Sequence, residues 1–377
     1  MSRVVVIGEN SQYMAGLNSK RIASLDGWRA LSILLVIGSH SARVDGLPKE
    51  MAFFFTSIFD GALGVRCFFI ISGFIITLLL LKENDKTSKI SLKKFYIRRS
   101  IRIIPVCYAY LFIVFLLQSS ANYFQSPIAW LQNLTFTTGY QFASAHYTWT
   151  TGHLWSLAVE EQFYILWPVL FYFFIARFNY ALLVLSIPLF VSPIFRAVNY
   201  FYSEKIGWLF PTPEFLYNCD SISTGCICAL IYFRWPQSIK LFLDRKNIFI
   251  IFTGLFLILF PIVLQKNYIY GFFTVPFANT SQNIGLALLL MHSIESPEYA
   301  PYRLLNSHTM QYIGKISFSL YIWQQLFTSN SIEFFDRSIW CFSYPWFIVC
   351  IFAAALFSYY LLEKPFMGLQ SKYRVAN

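Results

Sequence analysis

Leu25-Asp26-Gly27-Trp28-Arg29-Ala30-Leu31-Ser32-Ile33-Leu34-Leu35-Val36-Ile37-Gly38-Ser39-His40 is the stretch that decides the fold. Read as a helix, it turns about 100° per residue, so Arg29 and His40 complete about three turns and share one face. The same geometry sets them roughly 16 Å apart along the axis, about half the hydrocarbon thickness of a bilayer. A guanidinium and an imidazole on one face of a membrane helix are costly, and such groups mark functional sites by default. The competing reading has Arg29 snorkelling to one interface and His40 to the other.

The rest of the chain agrees with a membrane setting. Of the 377 residues, 57% are hydrophobic, 20% are aromatic and 12% are charged, against about 25% charged in globular proteins. Apolar stretches near 26–44, 60–82, 103–119, 155–176, 180–196, 216–234, 247–264, 270–292, 310–330 and 340–362 predict an all-α protein of about ten transmembrane helices. The net charge of +11 would suit a nucleic-acid ligand, but its placement points elsewhere. With a cytoplasmic N-terminus, about twenty lysines and arginines fall in inner segments and six in outer ones, which orients both termini to the cytoplasm. Cys67, Cys107, Cys219, Cys226, Cys228, Cys341 and Cys350 nearly all lie in apolar stretches without paired metal-ligand spacing. They read as buried structural thiols, and no metal is expected. Residues 1–24 lack a signal-peptide layout. The expected organisation is a cytoplasmic segment 1–24, one membrane domain 25–365 and a cytoplasmic tail 366–377.

Two further clusters carry chemistry. Lys93, Lys94, Arg98, Arg99 and Arg102 precede Pro105, and on a helix they form a basic ridge. Lipid headgroups account for the lysines, whereas three arginines in five residues suit phosphate, which the guanidinium fork grips in two places. The second cluster runs from His153 through Trp155, Ser156, Glu160 and Glu161 to Tyr164. Adjacent carboxylates inside a membrane helix point about 100° apart, so one would face a site while the other pairs with an arginine. Arg66 is the candidate partner. The alternating topology places His40, Arg66, Glu160 and Glu161 in outer halves, where they would share one pocket. Arg29 and the arginine ridge gather on the cytoplasmic side. The aromatic loop before Trp155 suits an interfacial belt and, less well, a carbohydrate platform.

The same residues carry a resemblance. Leu25-Asp26-Gly27-Trp28-Arg29-Ala30 with His40, Phe68-Phe69-Ile70-Ile71-Ser72-Gly73-Phe74, Arg99-Ser100-Ile101-Arg102, the His153–Tyr164 block, Ile313-Gly314-Lys315-Ile316-Ser317 through Trp323, and Glu363-Lys364-Pro365-Phe366 follow in order. As a set they resemble membrane acyltransferase family 3, whose members O-acetylate cell-surface glycans. Two departures stand out. Gln324 occupies a place where many relatives have histidine, and Arg66 lies where many have an acidic residue.

The resemblance implies acetyl-CoA as cytoplasmic donor, with Arg98, Arg99 and Arg102 holding its phosphates. It implies His40 as general base on the acceptor hydroxyl, or as the carrier of a transient acetyl group. Glu160 or Glu161 would orient that imidazole, and Arg29 would position the donor or polarise its carbonyl. His153, Arg66 and Trp155 would touch the acceptor, a free or lipid-linked surface glycan of O-antigen or exopolysaccharide type. The expected location is a bacterial inner membrane. The main rival is a multi-span transporter or flippase of a lipid-linked glycan; the grouped cytoplasmic arginines and the lack of an evident inverted repeat count against it.

Overall fold

In the computed structural model, residues 22–118, 125–140, 146–174, 177–206, 214–244, 247–329 and 339–373 are described, with the backbone alone for 203–206 and 371. The charged positions Arg3, Lys20, Arg21, Arg245, Lys246, Arg337 and Arg374 lie outside these residues. Of the expected N-terminal segment 1–24, only 22–24 is described, and its last two residues already belong to the first helix. The described residues form helices and no β-strand beyond one isolated bridge, Asp45 with Ser343.

A helix overlies each of the ten apolar stretches. In chain order the elements are α1 (Ala23–Ser41), α2 (Lys49–Ile58), α3 (Gly61–Thr87), α4 (Leu92–Gln118), α5 (Pro127–Leu134), α6 (Trp149–Gly152), α7 (Leu154–Phe174), α8 (Phe178–Ile206), α9 (Glu214–Arg234), α10 (Pro236–Phe242), α11 (Ile248–Lys266), α12 (Gly271–Glu295), α13 (His308–Phe327), α14 (Trp346–Ser358) and α15 (Lys364–Gln370). One π-helical turn, Tyr359–Glu363, joins the last two. Among the described residues, six continuous runs, containing α3, α4, α7, α8, α11 and α14, are long and apolar enough to cross a membrane. The other four long helices bury polar groups such as Asp26, Asp220, Asn283 and Gln324.

Five short helices, α2, α5, α6, α10 and α15, lie outside the ten apolar stretches. None has the length to span a bilayer, and α2 buries none of its residues. The basic segment before Pro105 is also not separate from the third apolar stretch. It forms one helix from Leu92 that continues through Pro105. Proline removes one backbone donor, a loss that helices packed in a membrane bundle accommodate.

Packing places α1, α3, α9 and α13 near the centre, while α8 and α11 turn rows of large apolar side chains outward, among them Phe190, Ile194, Phe249 and Phe252. Close backbone approach holds the centre together. A Cβ on Gly73 would overlap the carbonyl oxygen of Ile222, and one on Gly225 that of Ile70. In lipid, where burial of apolar surface gives no drive between helices, such contact is the main source of association. A Cβ on Gly314 would strike the Asp26 carbonyl, which accounts for a glycine in the motif of α13.

The contacts also give directions. Asp26 meets Gly314, Arg29 meets Ser317 and His40 meets Gln324, so α1 and α13 run parallel. By contrast, Tyr110 reaches Thr150 and Tyr96 reaches Ile165, so α4 and α7 run antiparallel. The first and ninth apolar stretches thus run parallel, and the third and fourth antiparallel.

Candidate active site

On α4, the residues around the basic ridge separate by helix phase. Arg99 and Arg102, three apart, both line one cavity. Arg98 is turned away: its Nη2 lies 3.2 Å from Glu83 Oε2 and its Nη1 donates to the Tyr373 carbonyl at 2.8 Å. Glu83 also accepts from the Ser91 backbone N–H at 2.9 Å. Arg98 therefore ties the start of α4 to the end of α3 and to the region after α15, outside the cavity. Lys93 and Lys94 are exposed.

The cavity lies among α1, α3, α4, α7 and α13. Arg29 joins Arg99 and Arg102 there, and Glu160 is the carboxylate in its wall. Ser72 Oγ donates to Glu160 Oε1 at 2.9 Å and Tyr164 OH donates to Oε2 at 3.1 Å. The Arg99 guanidinium stands 5.3 Å from the centre of the Tyr164 ring, and Arg29 Nε donates to Ser317 Oγ at 3.2 Å. Three formal positive charges against one negative leave the polar part of the wall cationic. Phe68, Phe69, Ile71, Ile75, Ile76 and Phe318 supply a long apolar part. An anionic head attached to an extended, less polar arm matches this division. Ser72 sits in the second motif and Tyr164 closes the fourth, so the motifs named them; their convergence on Glu160 was not readable from spacing.

His40 is placed differently from the expectation. It lies at the end of α1, and its Nδ1 is 2.9 Å from Gln324 Oε1, not beside a carboxylate. Its ring also meets Trp149 edge-on at 5.1 Å, and Arg43 lies 4.3 Å over that indole. The link to the cavity is α13, where Ser317, Tyr321 and Gln324 recur at helical spacing; the first two line the cavity and the third holds His40.

The expected outer pocket of His40, Arg66, Glu160 and Glu161 does not form among the described residues. Glu160 joins the arginines, because α7 brings it alongside Ser72 of α3. Arg66 donates to Gln282 Oε1 at 2.5 Å and lies 4.0 Å from Asp60. Glu161, one residue round the helix, is outside the cavity lining. His153 is buried edge-on between Tyr110 and Tyr321, at 5.5 and 5.4 Å. Trp155 packs on Phe69 at 6.1 Å, one layer behind the wall. In the aromatic segment before Trp155, Trp130 donates to Gln118 and Tyr147 to Gln132.

The late motif is explained by a single contact: Ser319 of α13 donates to buried Glu363 at 2.8 Å, in the π-helical turn. No group of three or more His, Cys, Asp or Glu residues suited to a metal occurs among the described residues.

These residues and their order are those of a known class. The model of the acyltransferase domain of family 3 matches residues 22–364, and the chain belongs to that family. With its helices of membrane-spanning length it is a multi-pass membrane protein. It is similar to "Putative O-acetyltransferase SACOL0978" of Staphylococcus aureus strain COL, 29% identical over 368 residues that cover 92% of this chain and 57% of the relative. It is also similar to "O-acetyltransferase OatA" of S. aureus strain NCTC 8325, 27% identical over 328 residues, covering 80% and 50%. The chain thus spans little more than half the length of these relatives. No solved structure matches it significantly.

Proposed function

We propose that this chain is an O-acetyltransferase that moves an acetyl group from cytoplasmic acetyl-CoA to a hydroxyl of a surface carbohydrate, across ten membrane crossings with both termini in the cytoplasm. The observation that carries the reading is the cavity in which Arg29, Arg99 and Arg102 meet Glu160, in a chain of the acyltransferase family. The names of the S. aureus relatives support O-acetyl transfer. The alternating helix directions support ten crossings. The basic residues Lys82, Lys86, Lys89, Lys93, Lys94 and Lys364 cluster near the end of the bundle that holds the start of α4, which supports a cytoplasmic orientation of that end.

Arg99 and Arg102 would hold the donor's phosphates, with Arg29 deeper, beside Ser317. Acetyl-CoA supplies the activated acyl group as a thioester. Ser72 and Tyr164 keep Glu160 fixed, so its charge offsets the arginines without occupying their donors. The apolar wall would exclude water along the donor's arm. At the far end of the α1–α13 seam, about 16 Å along α1 from Arg29, His40 would take the proton from the acceptor hydroxyl as that oxygen forms its bond to the acyl carbon; the thioester C–S bond breaks, and coenzyme A leaves as the thiolate that takes the proton up as its thiol. Trp149 beneath Arg43 offers an aromatic face for the acceptor sugar at this end.

Comparison of purified surface glycan by mass spectrometry and NMR, from cells with and without the gene, tests the reading. Loss of O-acetyl signals, restored by the wild-type gene and not by His40→Ala, is expected. An unchanged acetylation pattern would contradict it.

A further inference from the structure

We propose that Gln324 is the residue that orients His40 and sets its tautomer, a positioning role that sequence reasoning gave to Glu160 or Glu161. The inference rests on the reading of His40 as general base. An amide oxygen only accepts hydrogen bonds. Gln324 Oε1 at 2.9 Å from His40 Nδ1 thus assigns the proton of the neutral imidazole to Nδ1 and leaves Nε2 the lone pair a base needs. The edge-on indole of Trp149 then limits rotation of the ring.

Three observations separate this role from packing. Gln324 has no exposed surface, yet its Nε2 has no hydrogen-bond partner. A buried amide with half its capacity unmet is less stable than an apolar side chain of the same shape. Its backbone carbonyl meanwhile accepts from Thr328, so the helix end at this point does not depend on the side chain. Finally, no carboxylate takes the place: both oxygens of Glu160 are bonded, to Ser72 and Tyr164. A neutral acceptor at Nδ1 fixes the ring without adding a full negative charge to the membrane interior, where charge is costly.

The test compares Gln324→Glu, which keeps an acceptor oxygen at the same reach, with Gln324→Met, which has similar length and no acceptor oxygen. Gln324→Asn keeps the amide but withdraws its oxygen by one methylene, and serves if the Met variant is not recovered folded. Purified protein in proteoliposomes is assayed by thiol release from acetyl-CoA, which reports transfer to sugar or to water alike. The Met and Asn variants are expected to lose tenfold or more in kcat with KM for acetyl-CoA unchanged, while Glu stays within about threefold of the parent. Equal loss in all three variants, or parental kcat in Met or Asn, would overturn the proposal. His40→Asn is the separate control: if it retains turnover, the base reading itself fails.

Discussion

Ser72 Oγ donates to Glu160 Oε1 across 2.9 Å, fastening α3 to α7 in the wall of the arginine-lined cavity. This bond joins two sequence motifs that lie 88 residues apart. A hydrogen bond to an ionised group is worth about 1.5–3 kcal/mol. Ser72→Ala is expected to lower stability by about that amount and to reduce acetyl transfer roughly tenfold, by freeing Glu160 to swing onto an arginine. Thermal unfolding in detergent and initial rates check both.

The phase of α4 separates its arginines. Arg99→Gln and Arg102→Gln should raise KM for acetyl-CoA by tenfold or more, since each removes a charge-assisted contact worth about 1.5–3 kcal/mol. Arg98→Gln should leave KM near the parent and act on stability, because its partners are Glu83 and the Tyr373 carbonyl. Equal KM effects from all three would place Arg98 in the donor site.

Stability away from the site depends on a buried ion pair. Arg196 Nη2 lies 2.6 Å from Asp220 Oδ2, both essentially inaccessible to solvent, and Thr280 donates to the same oxygen at 2.6 Å. Removing one partner of such a pair leaves an uncompensated buried charge, at a cost of about 3–5 kcal/mol. Asp220→Ala should therefore lower the unfolding temperature sharply, while the protein that stays folded keeps the parental KM for acetyl-CoA.

Close helix crossing gives a fourth test. Gly73→Ala would force α3 from α9 and is expected to cost about 1–3 kcal/mol, the usual range for overpacking. Gly368→Ala on α15, where an added Cβ meets nothing within 4 Å, should be neutral or stabilising by less than about 1 kcal/mol.

The sequence made the helices readable because their hydropathy is set locally. All ten apolar stretches became helices, with the largest boundary errors at Leu92, where a basic start hid the helix, and beyond residue 196 in α8. Arg29, Arg99, Arg102 and Glu160 were named in advance because charges in a membrane helix stand out on composition. Their partners were not. That Glu160 sits with the arginines, that Arg66 bonds Gln282 and that His40 bonds Gln324 depends on how helices distant in sequence rotate against one another. Periodicity gives the face of each helix, and only packing, through contacts such as Gly73 on Ile222 and Gly314 on Asp26, decides which faces meet.

Acetyl transfer through the arginine-lined cavity to an acceptor at the far end of α1 is measurable in sealed proteoliposomes oriented with the Arg99–Arg102 face outward, loaded with a panel of oligosaccharides and given acetyl-labelled acetyl-CoA outside. Label is expected on enclosed saccharide, abolished by His40→Asn and by Arg99→Gln combined with Arg102→Gln, and retained in His146→Ala. Saccharide crossing the membrane without acquiring label would contradict such transfer.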